Sequence, residues 1–122
     1  MPPKEKIANP VITEARKSGL IELGVRPHVA ELIAYLSQVK NADVLKISKE
    51  TSLRQSSISI GVKALRDQGY LKSRRLKGPM GYPRDYYRLV VPYDQIYLEL
   101  AQRRKDLPAI LRRELENTGV KL

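Results

Sequence analysis

Residues 43–90 are cut by glycine and proline into pieces that can be arranged in few ways. The stretch SLRQSSISIGVKALRDQGYL, residues 52–71, stops at Gly69, a residue that lets a helix leave through a left-handed turn. Residues 78–83, Gly-Pro-Met-Gly-Tyr-Pro, suit neither helix nor regular ladder, so the chain must reverse there. Upstream of Gly69, Ile58, Val62 and Leu65 recur at i, i+4 and i+7, an apolar stripe on a helix over about residues 54–68. Downstream, Tyr70 and Leu71 turn the chain into a strand that returns past the break through Tyr86, Tyr87, Leu89 and Val91. Ahead of all this, Asp43 is placed to cap a short helix with Val44 and Ile47 inward. Thr51-Ser52 then makes a tight turn and Leu53 plugs the gap between the two helices. The order helix, turn, helix, hairpin predicts a mainly α fold with a small β-hairpin wing: a winged helix-turn-helix with flanking amino- and carboxy-terminal helices.

Charge is concentrated in the same region. The net charge is +10, yet residues 54–88 alone hold nine basic and two acidic residues, a net of +7 that leaves +3 for the other 87. The helix face away from the apolar stripe carries Arg54, Gln55, Ser56, Ser57, Ser59, Lys63 and Arg66. These are short hydrogen-bonding and cationic side chains of the kind that reach base edges and phosphates in a major groove. Arg54 falls at the cap position, where arginine is worth ~1 kcal/mol less than Ser or Asp. A residue there that does not serve the helix is read as serving a phosphate, against the blander reading of a solvated side chain. The hairpin adds Lys72, Arg74, Arg75, Lys77, Tyr82, Arg84 and Arg88. Basic strands are often only solvated edges, but six basic residues against one acid within residues 72–88 exceed what edge protection requires. The expected partner is double-stranded DNA, met by the helix in the major groove and by the wing on the backbone or minor groove.

Around this centre the chain divides into residues 1–8, expected as a disordered basic arm, residues 9–91, the DNA-binding domain, and residues 92–122, a carboxy-terminal helical segment. Asn9-Pro10 is a helix start and Gly24 a stop, with Ser18-Gly19 between them predicting a short or bent helix. Pro27 opens the first core helix, in which Val29, Leu32, Ile33, Leu36 and Val39 share a face. After Pro92, Tyr93, Ile96, Tyr97 and Leu100 lie at i, i+3, i+4 and i+7. Pro108 then kinks or restarts the helix, and Ile110, Leu111 and Leu115 lead to a stop at Gly119. The 29–39 helix, the Ile58, Val62 and Leu65 stripe and the hairpin strands already close one core on this reading, so Tyr93, Ile96, Tyr97, Leu100, Leu107 and Leu111 form a second stripe for a homodimer. The alternative is that this stripe folds back on the chain's own core.

Catalysis and metal binding find little support. There is no cysteine, and the only histidine, His28, has no second ligand near it in sequence and is read as a surface residue. No Gly-x-x-x-x-Gly-Lys-Ser/Thr phosphate loop is present, so neither an enzyme nor a cofactor or metal site is expected. No apolar run approaches the ~20 residues that span a bilayer, and residues 1–10 lack the apolar segment of a signal peptide, so a cytoplasmic, nucleoid-associated protein without membrane contact is expected.

Three pieces in order, LIELGVRPHVAELIAYL, then SLRQSSIS with LRDQGYL, then GYPRDYYRL, resemble the winged-helix regulators of the TrmB, MarR and ArsR superfamily, above all short TrmB-like archaeal regulators. The resemblance covers about residues 20–91 and implies a sequence-specific transcription regulator. Many such relatives carry Gly-Arg-Pro at the wing tip, with the arginine in the minor groove. Here Gly81-Tyr82-Pro83 stands there, so that contact passes to Arg84 or is absent. Full-length TrmB-like regulators also carry a carboxy-terminal sugar-binding domain; the residues after the hairpin are too few for one, and no small-molecule effector is inferred. A competing reading is a sequence-independent architectural chromatin protein or an RNA-binding winged helix. A winged helix that docks other transcription proteins should instead show an acidic or apolar recognition face, and this one is basic.

Overall fold

The computed structural model describes residues 8–78 and 80–105, the last two by backbone alone. The elements are α1 (Pro10–Glu22), α2 (Pro27–Leu36), α3 (Val44–Glu50), α4 (Gln55–Asp67), β1 (Leu71–Lys77), β2 (Pro83–Leu89) and α5 (Tyr93–Lys105). Among the described residues, five helices with one antiparallel hairpin, in this order, make the winged helix-turn-helix expected from the sequence.

Helix α2 is the axis of the core. Its apolar face was legible, but every residue from Ala30 to Leu36 is buried, because α1 covers one side and α4 the other. Glu31 is thereby only 8% exposed. A buried charge is costly unless partnered, and its carboxylate accepts the Ser52 hydroxyl at 2.8 Å and pairs with Lys17 Nζ at 3.3 Å. One side chain thus fastens α1 and the turn before α4 to the central helix. Tyr35 Oη donates to Glu50 Oε2 at 2.6 Å and holds the end of α3 to the same axis.

Asn9 caps α1 as expected, its Oδ1 accepting from Val11 N at 2.9 Å. The helix is not interrupted at Ser18-Gly19, however, and runs on to Glu22. Gly19 serves a close approach instead: a Cβ there would lie 3.2 Å from Tyr93 Oη of α5. Tyr93 Oη donates to Arg16 O at 3.1 Å, and the Arg16 guanidinium stands 5.0 Å from the Tyr93 ring centre. That docking offsets the ~1 kcal/mol a mid-helix glycine costs.

Helix α4 buries Ile58, Gly61, Val62 and Leu65 and ends at Gly69, whose φ is 78°. Nothing lies within 4 Å of a Cβ built at Gly69, so a side chain there meets only the conformational penalty. Gly69→Ala is expected to lower stability by about 1 kcal/mol and Gly69→Asn by less, read as a shifted urea midpoint at unchanged slope. A wild-type midpoint in both variants would remove the left-handed requirement.

The hairpin pairs Leu71 with Leu89 through Lys77 with Pro83. Pro83, expected outside the ladder, forms its last rung, where no donated N–H is needed of it. The returning strand stops at Leu89; Val91, expected within it, lies beyond and packs on the core as the chain bends into α5. Ala42 and Tyr87 exchange two backbone bonds, of 3.1 and 2.8 Å, which cover the free edge of β2 beside the start of α3.

The segment after the hairpin departs most from expectation. Ile96 is 0% exposed and belongs to the same cluster as Leu20, Leu32, Tyr70 and Leu71, while Tyr93, Tyr97 and Leu100 are half-buried against it. The core is therefore not closed without α5, and this part of the stripe is not left over. Tyr70 Oη donates to Glu99 Oε2 at 2.7 Å, and Arg103 Nη1 donates to Gln68 Oε1 at 2.8 Å. Burial first, and then the Glu99 carboxylate, raise the pKa of the Tyr70 phenol above its usual value; the Tyr70 and Gln95 hydrogen bonds in turn hold the pKa of Glu99 below the usual carboxylate range. Leu107, Leu111, the Pro108 kink, the stop at Gly119, Pro79 and residues 1–7 lie outside the described residues.

Candidate nucleic-acid interface

At ~100° per residue, the buried stripe of α4 leaves Ser56, Ile60, Lys63 and Asp67 pointing most directly away from the core. Gln55, Ser59 and Arg66, also exposed, flank them, whereas Ser57 is half-buried and sits off the front. Arg54 occupies the cap position in extended backbone, φ −83° and ψ 157°, makes no capping bond and is exposed. Ile60, 59% exposed in the middle of this face, was not singled out from the sequence. Its signal was there: it falls out of phase with Ile58, Val62 and Leu65, so an apolar residue had to project from the polar side.

Side chains of the hairpin alternate between two faces. Lys72, Arg74 and Leu76 share one with their partners Arg88, Tyr86 and Arg84; Leu71, Ser73, Arg75 and Lys77 share the other with Leu89, Tyr87, Asp85 and Pro83. Arg66 of α4 donates to Ser73 Oγ at 3.2 Å, joining the helix to the hairpin root. Arg75 Nε lies 3.1 Å from Asp85 Oδ1, and that hydrogen-bonded carboxylate raises the pKa of Arg75 above the usual arginine value. Burial, and then the same Asp85 charge, raise the pKa of the Tyr87 phenol.

Arg84, to which the tip contact was expected to pass unless it was absent, is paired within the protein. Its Nη1 lies 3.0 Å from Asp43 Oδ2, while Asp43 Oδ1 accepts from Lys46 N at 2.8 Å. Asp43 therefore caps α3 and anchors the return strand at once, a second duty that sequence alone did not reveal. The tip itself presents Met80 and Tyr82, 77% and 72% exposed, around Gly81 at φ 82°. Arg54, Lys63, Lys72, Arg74, Lys77 and Arg88 are all exposed, and none has a carboxylate partner within 4.0 Å among the described residues. Lys72 and Arg88 stand directly opposite each other, a like-charge pair that disfavours the bare hairpin and that a bound anion would relieve.

His28 is half-buried in the first turn of α2. Among the described residues no group of three or more His, Cys, Asp or Glu could hold a metal ion, and no helix is long and apolar enough to cross a membrane.

No family model matches the sequence, and no curated protein does. Solved structures do share the fold. A possible transcriptional regulator from Methanosarcina mazei Go1 superposes with a TM-score of 0.56 at 18% identity, over 83% of this chain and 86% of that one. A mutant of MarR from E. coli gives 0.52 at 16% identity, over 91% and 87% of the two chains. The YusO protein from Bacillus subtilis gives 0.50 at 18% identity, over 85% and 71%. The class defined is thus a winged helix-turn-helix chain with the fold of MarR-type proteins. At these identities the likeness is one of fold, and it does not separate a TrmB-like chain from a MarR-like one.

Proposed function

We propose that the protein is a sequence-specific transcription regulator of double-stranded DNA, with α4 in the major groove and the hairpin on the backbone or minor groove. One observation carries this reading. From a buried stripe, α4 turns Gln55, Ser56, Ser59 and Lys63 outward, and Arg66 ties it to a hairpin whose Lys72, Arg74, Lys77 and Arg88 are exposed and have no carboxylate partner among the described residues. Hydrogen-bonding groups on a helix read bases, and unpaired cations beside them bind phosphates. The fold shared with a possible transcriptional regulator supports the same reading. As a nucleoid-associated cytoplasmic protein it acts as a homodimer, which would set two α4 helices ~34 Å apart on a palindromic site. Of the proposed dimer stripe, Tyr93, Ile96, Tyr97 and Leu100 pack on the chain's own core, so the proposal rests on Leu107 and Leu111, which lie outside the described residues.

Selection of bound duplexes from a random pool, followed by competition with bulk duplex DNA, tests the proposal. A selected site should be preferred by ~10³-fold or more. Gln55→Ala, Ser56→Ala and Ser59→Ala should each cost ~1–3 kcal/mol at that site alone, whereas Arg74→Ala and Lys77→Ala should weaken all sequences alike. Equal binding to selected and bulk DNA would replace the regulator with a sequence-independent architectural protein. Hairpin variants that altered the consensus while helix variants did not would reverse the groove assignment.

A further inference from the structure

We propose that Ile60 is a specificity-determining residue that reads thymine, its side chain packing on the 5-methyl group in the major groove. The inference rests on the proposed function and deepens it by naming one base and the residue that recognises it.

A single exposed apolar side chain is ordinary, so position carries the argument. The other large apolar residues of α4, Ile58, Val62 and Leu65, are at most 4% exposed, whereas Ile60 is 59% exposed and lies opposite them. Its neighbours one turn away along the helix are Ser56, Ser57, Lys63 and Ala64, so no large apolar side chain of α4 extends its surface. Nor does it serve the helix, since a β-branched residue at a solvated position is a poorer helix former than the Ala, Lys or Arg that the same site would accept. What remains is an isolated, rotamer-restricted methyl-bearing surface among groups suited to base edges. It is the sixth residue of α4, in the amino-terminal half, the part of a recognition helix that meets base edges. Among the four bases only thymine offers a methyl group to the major groove. The restricted χ1 of isoleucine means that little side-chain freedom is lost on contact.

The test uses the full chain and a duplex selected from a random pool. Each thymine of the selected site is replaced in turn by deoxyuridine, which removes the 5-methyl group and leaves the base pairing intact. One position is expected to lose about three- to tenfold in affinity with the wild-type protein, and less than about twofold with Ile60→Ala, while Ile60→Val keeps part of the dependence. Because Ile60 is outside the core, thermal unfolding of Ile60→Ala should match wild type, which separates lost recognition from lost fold. A selected site at which no thymine methyl matters, or at which the methyl dependence is the same in Ile60→Ala, overturns the inference and leaves the regulator reading standing. A pool that yields no consensus overturns both.

Discussion

Raising the salt concentration from ~50 to ~200 mM is expected to weaken binding of a selected duplex by about a thousandfold. Arg54, Lys63, Lys72, Arg74, Lys77 and Arg88 are exposed and without carboxylate partners among the described residues. Each one that neutralises a phosphate releases condensed counterions, and a protein making six to ten such contacts loses ~10³–10⁵ in affinity over that range. The structure also separates cations that the sequence lists together. Removing Arg74 or Lys77 should lower the slope of log K against log salt by about one each. Arg75 is hydrogen-bonded to Asp85, and Arg84 to the Asp43 that caps α3, so their charges are already offset locally. Arg75→Ala should therefore change the slope little. Arg84→Ala should show itself instead as a less stable hairpin root. A flat slope for the wild-type protein would remove the nucleic-acid reading. Equal slope changes for Arg74 and Arg75 would mean that the Asp85 pair opens on binding.

The elements that could be read in advance are those whose signal is local. Asn9 before Pro10, Asp43 before Val44 and Gly69 after Gln68 each satisfy or release backbone groups within a few residues, and each stands where expected. The stripe Ile58, Val62, Leu65 likewise fixes which way α4 faces, and with it the outward Ser56 and Lys63. What stayed hidden depends on residues far apart in sequence. Gly19 looked like a helix breaker because nothing near it shows that Tyr93 arrives against it. Arg84 looked free because Asp43 lies 41 residues away. The stripe beginning at Tyr93 looked unpartnered because the earlier helices seemed to complete a core, yet Ile96 is buried in one cluster with Leu20 of α1, Leu32 of α2 and Leu71 of β1, residues far from it in sequence. The reading of α5 as surplus surface failed at this point: an amphipathic pattern shows that a face is covered, not by what.

Gly61→Leu is expected to destabilise the protein by on the order of 3 kcal/mol, roughly a 15 °C fall in melting temperature for a domain of this size. Gly61 is buried where α4 crosses α2, and a Cβ built there lies 2.8 Å from Leu32 Cδ2. Leu32 is itself 0% exposed, so its methyl group has no solvent to move into and the new side chain must push α4 away from α2. Gly61→Ala sets two effects against each other, a gain of ~1 kcal/mol in helix propensity and the contact with Leu32. The contact should win, because a closely packed core yields to one added methyl only by shifting its neighbours, and a net loss of about 1 kcal/mol is expected. Ser59→Ala, on the exposed face of the same helix, should stay within ~0.5 kcal/mol of wild type in stability and is the control for the melting temperature alone, since it is expected to lose site binding with its fold intact. Because the same crossing sets the position of Ser56, Ile60 and Lys63, Gly61→Ala should also lose site preference while it remains folded. Differential scanning calorimetry of the three variants beside their binding to the selected duplex reads both effects. An unchanged melting temperature for Gly61→Leu would mean that α4 is not held against α2 as described, and that the recognition face it carries is free to move.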